Sequence, residues 1–398
     1  MKRAMTDPLR MAAAGLLALV VLAQPVAHAY VLNHTIAASG GCPEMNRFQT
    51  ATAGIVDRRW STSLNTSPVT IKTQDQTANG RIQEIHNMIL ESFSVWTGVG
   101  TSLTASSLAP QLNQVGTQNA CNSTDGLNTI CFNQTDAGFT AGVLAFTRVV
   151  NSDIPGEQPF PNNPPATLIG EILDADILFK PNDANTTFAT PQALATNPSS
   201  FDFESVLVHE LGHFFGFSHS SVLRAMMYPF VPPTGTFLGE RPSQAKPDGP
   251  LADDDRVGLR VLYPNPQDTT NIGTISGFIL PANPISLSGL PVPSAGRSVT
   301  GVFGTQVVAV DADSGAVVAA TLGGWSCDPA SPPTNFDGFY KIARLPVGRN
   351  YKIFVEPLDL PTDSTNITGA LSDLCRSGVP QPCTVPAVNT NFTTKIRP

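Results

Sequence analysis

The chain has 398 residues, enough for two domains of ordinary size, and a formal net charge of −8. Only 14% of its residues are charged, and this sparse acidic balance excludes the basic surface that nucleic-acid binding requires. Apart from the N-terminal stretch described next, no segment is apolar and long enough to read as a membrane span.

In chain order, Lys2, Arg3 and Arg10 give a positive start, and 11–23 is an uninterrupted apolar stretch too short to cross a bilayer comfortably. Ala27-His28-Ala29 then supplies small residues at cleavage spacing, so the start reads as a signal peptide and predicts export. In an exported chain the six cysteines suit disulfides. Cys121 with Cys131 and Cys375 with Cys383 are the local pairs, leaving Cys42 and Cys327 to pair or stay free. Asn33, Asn122, Asn133, Asn185, Asn366 and Asn391 stand in Asn-x-Ser/Thr sites, relevant only in a host that glycosylates secreted proteins.

Residues 30–57 are polar and lack periodicity. Residues 58–75 read as a first strand, and Ile82, Ile85, Ile89, Phe93 and Trp96 recur at helical spacing over 81–96. LNTICFN (127–133), GVLAFTRVV (142–150) and GEILDADILFKPN (170–182) read as strands, the last with Asp174 and Asp176 alternating against apolar neighbours. The strand around 170–180 is expected to be the edge that pairs with an extended peptide.

A helix is then predicted from near residue 200 to near Gly216, with Ser199 and Asp202 as weak capping signals and an apolar surface from Phe203, Val206, Leu207, Leu211, Phe214 and Phe215. It contains HELGHFFGFSH (209–219). Four residues apart on a helix, His209 and His213 project from one face. Gly216 can adopt the positive φ that ends a helix abruptly, which would swing His219 towards them. Three histidine ligands leave a fourth position open on a tetrahedral zinc ion, the arrangement of a catalytic rather than a structural site. Glu210, beside the first ligand, is placed to take a proton from water there.

Met227 follows in RAMMYP, and LADDDRVGLRVLYP (251–264) reads as a last helix with Val257, Leu259 and Leu262 facing inward. HExxHxxGxxH with a downstream methionine turn resembles the metzincin zinc proteases. The spacing from His219 to Met227, the A-x-M-Y-P ending and DD-x-x-G-x-x-x-LY resemble the matrixins, the matrix-metalloprotease-like group, over residues 58–264. The resemblance implies an α+β domain, a twisted mixed sheet plus three helices, acting as a zinc metalloendopeptidase on a protein or peptide substrate. It also implies Met227 packing beneath the ligands and Tyr228 and Pro229 as walls of the substrate pocket; were Met226 the turn methionine instead, Tyr228 would stand where the astacin- and serralysin-like metzincins carry a tyrosine that reaches the zinc. Asp254 and Asp255 match acidic residues that in matrixins tie the last helix to the methionine turn, with a solvated helix face as the equal alternative. The loop 229–250 would shape the pocket for the side chain after the scissile bond. Calcium is customary in that group, and Asp174, Asp176 and Asp183 could supply oxygen ligands, although no dense acidic loop marks a site. The chain departs from the group in two places. Only His34 and His86 remain for a second, structural zinc, so that site is expected to be absent, and the usual latency motif is missing. Cys42 could hold the zinc of a precursor as a thiolate, with an ordinary disulfide as the alternative.

From Asn265 the composition is that of a linker, and then GTISGFIL, TQVVAVDADSGAVVAATL, FDGFYKIARLPVG and NYKIFVEPL alternate between turns, with Asp313-Ser314-Gly315 as a hairpin turn. These runs resemble the carboxypeptidase regulatory-like (transthyretin-like) β-sandwich. An extracellular ligand of this sandwich and a passive structural role are both open. The expected division is a signal peptide at 1–29, an N-terminal extension or short pro-segment at 30–57, the matrixin-like domain at 58–264, a linker at 265–273, the sandwich at 274–360 and a C-terminal tail at 361–398. The expected function is a secreted zinc endopeptidase. Its rival is a zinc-bearing adhesion or recognition protein acting through the sandwich, for which the carboxylate of Glu210 has no use.

Overall fold

Strand β1 (His34–Ile36) pairs antiparallel with β2 (Ile55–Asp57) inside the stretch expected to be an irregular extension. The computed structural model describes residues 34–36, 55–57, 59–60, 71–74, 82–103, 113–115, 125–132, 134–140, 142–152, 156–160, 165–166, 170–183, 186–220, 222–281, 301–302, 304–324, 337–357 and 395–397. The expected signal peptide, Cys42 and the six Asn-x-Ser/Thr asparagines named above lie outside these residues. Among the described residues, no helix is long and apolar enough to cross a membrane.

A five-stranded mixed sheet comes next, built from β3 (Ile71–Gln74), β4 (Asn113–Val115), β5 (Asn128–Cys131), β6 (Ala145–Asn151) and β7 (Ile172–Phe179) in the order β4-β3-β5-β7-β6. All neighbours are parallel except β6, which runs antiparallel to β7 at the edge. This corrects the expected edge. Strand β7 is hydrogen-bonded on both sides and buried along its whole length, so it has no free backbone for a peptide, whereas β6 is the edge strand among the described residues. Cys131 is disulfide-bonded, and Cys121, its expected partner, lies outside the described residues.

Helix α1 (Ile82–Thr97) follows β3 and places Met88, Ile89, Phe93 and Trp96 in the core. After β7, the short β8 (Phe188–Ala189), α2 (Pro191–Leu194) and β9 (Phe201–Asp202) lead into α3 (Phe203–Phe214). One-turn α2 adds a helix to the three expected. It is begun by Thr190, whose side chain accepts from Ala193 N, and by Pro191 at the first helical position, where its missing N–H costs nothing.

α3 is buried on almost every side, and its C-terminal carbonyls, which have no partner within the helix, are met by aromatic donors. Trp60 Nε1 donates to Phe214 O at 2.8 Å, and Tyr263 Oη donates to Phe215 O at 2.9 Å. Trp96 Nε1 donates to Val208 O at 3.0 Å. These three large rings, each about 4% exposed or less, bring hydrophobic burial and a polar tip together around one helix.

Helix α4 (Asp253–Leu262) carries half of a capping box: Asp255 at N3 accepts from Ala252 N at 2.9 Å, while alanine at the N-cap has no side-chain acceptor to return the bond. Beyond it lie β10 (Ile272–Phe278), β11 (Thr305–Asp311), β12 (Val317–Gly323), β13 (Phe339–Pro346), β14 (Tyr351–Pro357) and β15 (Lys395–Arg397). They form a four-stranded sheet, β12-β11-β14-β15, and an antiparallel pair, β10 with β13. The β11–β12 turn closes as its residues require: Asp311 Oδ1 accepts from Asp313 N and Ser314 N, and Gly315 takes φ 73°.

Two expected boundaries shift. β10 begins inside the expected linker, and β15, in the expected tail, pairs with β14. The two regions also do not hang on the linker alone. Ala320 N in β12 donates to Asp254 Oδ1 at 3.0 Å, Arg349 meets Asp253 at 2.8 Å, and one hydrophobic cluster runs from Phe214 and Leu259 to Val307, Val318 and Ile342.

Candidate metal centre

Three backbone devices bring the histidines together. At the start of α3, the Asp202 side chain accepts from Ser205 N at 2.9 Å, capping the helix. At its end, Gly216 takes φ 102°, Phe217 N donates to Gly212 O and Gly216 N to His213 O, both at 3.0 Å. These two bonds make a Schellman motif, the abrupt stop that reverses the chain and returns His219 towards the helix. Farther on, Asp255 accepts from Met226 N at 2.7 Å and Met227 N at 3.2 Å, so the N-terminus of α4 holds the methionine turn.

The result is a cluster in which one ligand atom from each of His209, His213 and His219 lies within 4.8 Å of the others. Carbonyl oxygens only accept, so the contacts from His209 Nδ1 to Met226 O at 2.7 Å and from His213 Nδ1 to Phe217 O at 2.8 Å put a proton on each Nδ1. Each Nε2 is thereby left with a lone pair directed at the cluster, the orientation that backbone partners give metal-ligating histidines. The Nε2 atoms of His213 and His219 are 3.2 Å apart. Two nitrogens about 2.05 Å from a tetrahedral zinc ion would sit ~3.3 Å apart. Burial, then the neighbouring imidazoles, pushes His209 down to about 3 and His219 lower still, and burial lowers His213. All three are therefore neutral near pH 7, the form that binds a metal. The donor set, its tautomers and its spacing fit zinc.

Glu210 is 4% exposed, and burial pushes its carboxyl up to about 7 against the lowering effect of a bond from Thr147. With the three histidines it lines a cleft of about 550 Å³. One wall is β6 and the chain before it, from Gly142 to Thr147; the other is Pro229, Phe230 and Val231. Pro229 lines the cleft. Tyr228 does not line the cleft; its ring packs 5.7 Å from that of Phe230, which does. Met227 is fully buried against α3, close enough that a Cβ on Gly212 would lie 2.0 Å from its Sδ. Met226 contributes its carbonyl to His209 instead.

Several contacts had no motif to announce them. Arg241, far along the loop 229–250, pairs with buried Asp202 and, at 2.6 Å, with Glu204, and stacks over Phe237 at 4.4 Å. This fastens the loop to the start of α3. Asp254 accepts from Ser220 Oγ at 2.7 Å, immediately after His219, and the same carboxylate meets β12. Of the calcium candidates, Asp174 and Asp176 are fully buried on one face of β7, with Asp174 Oδ1 and Asp176 Oδ2 lacking a hydrogen-bond partner among the described residues, whereas Asp183 is taken by Lys180 and Thr186 N.

A mixed sheet, a buried helix bearing two histidines, a sharp turn to the third and a methionine turn behind them together resemble a matrixin domain. Residues 141–264 match the Matrixin family model. Among individual proteins, the chain is similar to Metalloendoproteinase 1 of Glycine max, 32% identical over 143 residues that make up 34% of this chain and 40% of that protein. It is also similar to Metalloendoproteinase 4-MMP of Arabidopsis thaliana, 42% identical over 71 residues, 18% of each chain. Metalloendoproteinase 1-MMP of the same plant is 33% identical over 111 residues, 25% of this chain and 28% of that protein. The chain thus spans two-fifths or less of the length of these curated relatives.

Proposed function

We propose that this chain is a secreted zinc-dependent endopeptidase whose catalytic unit is 58–264. The observation that carries the reading is the cluster of three neutral histidines with a buried glutamate beside it in an open cleft. His209, His213 and His219 would hold a zinc ion, which would supply Lewis acidity towards a water and a carbonyl. The chain does the rest. The free edge of β6 offers backbone N–H and C=O groups to an extended peptide, which aligns its scissile bond along the cleft. Glu210 takes a proton from the attacking water and returns it to the departing amine, a task suited to a carboxyl raised to about 7. Pro229, Phe230 and Val231 give the peptide's side chain an apolar wall.

Export rests on the charged, apolar and small-residue pattern of 1–29. The strands after 272 are assigned to a carboxypeptidase regulatory-like sandwich on their alternation and turn pattern, with an extracellular ligand and a passive structural role both open to it. A hard cation such as calcium suits Asp174 and Asp176, because acceptor-only oxygens without a donor are what such an ion requires.

The test is to incubate the full chain with a diverse peptide library, with and without a chelator, and to sequence the products. Cleavage that stops on chelation and returns with zinc is expected. Glu210→Gln should retain zinc and lose proteolysis; turnover by that variant at the wild-type rate removes Glu210 from the chemistry.

A further inference from the structure

Thr147 lies 63 residues before Glu210 and belongs to no motif, yet its Oγ1 is 2.7 Å from Glu210 Oε2 and 3.0 Å from the Glu210 backbone oxygen. It sits in β6, opposite Ile177 of β7, so its backbone is fixed by the sheet ladder. A β-branched side chain in a strand has few rotamers. The hydroxyl is therefore held at a set height over α3, against the residue that follows the first histidine.

From this we propose that Thr147 is the positioning residue of the general base: its hydroxyl grips Oε2 of Glu210 and so directs the other carboxylate oxygen into the cleft. The inference rests on the reading of Glu210 as that base. Three observations support it. Glu210 is buried, and its side-chain hydrogen bond comes from Thr147 alone among the described residues. A hydroxyl both donates and accepts, so it remains a partner for Oε2 in either state: it donates to the bare carboxylate oxygen, and when that oxygen carries a proton it accepts from it and turns its own proton to the Glu210 carbonyl. Finally, Thr147 lies on the strand whose free edge would align a peptide. One short stretch of backbone thus sets both the substrate's register and the direction of the base, which ties the reacting groups together without a mobile loop.

The chemistry gives the scale. A positioned general base contributes about 10²–10⁴-fold, and a misplacement of the order of 1 Å can cost about 10²-fold. Thr147→Val keeps the shape and β-branching but removes the hydroxyl; Thr147→Ser keeps the hydroxyl. Both are compared in the full chain with wild type and Glu210→Gln, using the quenched-fluorescent library peptide that wild type cleaves fastest. For Thr147→Val, kcat is expected to fall about 10- to 100-fold while KM, zinc content and melting temperature stay near wild type. Thr147→Ser is expected to recover kcat to within about threefold of wild type, since only the hydroxyl matters in this account. Crystal structures of the wild-type and Thr147→Val chains supply a readout independent of turnover, with Glu210 expected in a different or divided rotamer in the variant.

A wild-type kcat in Thr147→Val overturns the proposal, as does an equal loss in Val and Ser variants, or a rise in KM alone. An unchanged Glu210 rotamer in Thr147→Val overturns it too. If wild type and Glu210→Gln cleave equally, the reading of Glu210 itself fails, a result separate from any of these.

Discussion

Gly212 stands between the two helical histidines, and adding one methyl group there tests how tightly the methionine turn is packed beneath them. An ideal Cβ at this position lies 2.0 Å from Met227 Sδ, 3.0 Å from Met227 Cε and 2.9 Å from Trp96 Cζ2, all well inside the roughly 3.5–4.0 Å at which non-bonded atoms attract. Trp96 has no room to yield: it is fully buried, and its Nε1 is bonded to Val208 O at 3.0 Å. Met227 is flexible, but its N–H is held by Asp255 and its carbonyl by Ser220 N, so only the buried side chain can move. Two effects then compete. Alanine is better than glycine in a helix by about 1 kcal/mol, whereas overpacking a filled core costs about 1–3 kcal/mol. With contacts this short the upper part of that range applies, leaving Gly212→Ala ~2 kcal/mol less stable. For a domain of this size that is a fall of about 4–8 °C in melting temperature. The assay is thermal unfolding of the zinc-loaded chain, with zinc content measured alongside, for Gly212→Ala, Met227→Ala and the double variant. Met227→Ala opens a cavity costing about 2–5 kcal/mol, and the added methyl partly fills it, so the double variant should lose less than the sum of the singles. A single variant that melts at or above wild type, or strictly additive losses, would refute this account of the packing.

Two further predictions concern carboxylates. Replacing Asp254 with alanine strands Ser220 Oγ and the buried Ala320 N–H, at about 1–3 kcal/mol for each unsatisfied group; denaturant unfolding should show the loss, and a midpoint equal to wild type would mean the two regions are not coupled there. The second is a pH dependence of the metal-free chain. Burial raises Asp174 to about 8, with Asp176 as the next cause, and burial raises Asp176 to about 7. Both lie above the unfolded value of about 3.9, so the folded state binds more protons and stability falls as pH rises. The three histidines act in the opposite sense only below about pH 6.5, where their unfolded forms take up protons. Between about pH 6.5 and 8 the melting temperature should therefore drop, less steeply in Asp174→Asn, and added calcium should raise it most at the alkaline end. A melting temperature that climbs across this window contradicts the assignment.

Much of the site follows from neighbours in sequence. Helical periodicity alone puts His209 and His213 on one face, and the conformational freedom of Gly216 permits the turn to His219, because both are matters of local backbone geometry. The strands at 128–131, 145–151 and 172–179 and the helices at 82–97, 203–214 and 253–262 were legible from alternation and spacing for the same reason. What the sequence leaves open is which distant groups meet. Strands β6 and β7 read alike as apolar runs, and only the pairing order makes β6 the free edge and β7 an interior strand. Thr147 carries no signal of its own; it reaches Glu210 because the sheet lays β6 across α3. Trp60 and Tyr263 cap the same helix from opposite ends of the domain, Arg241 ties a long loop to its start, and Asp254 bonds to β12 across the expected linker. Each of these is a long-range contact, and burial and hydrogen-bond satisfaction, not the spacing of residues, choose its partner.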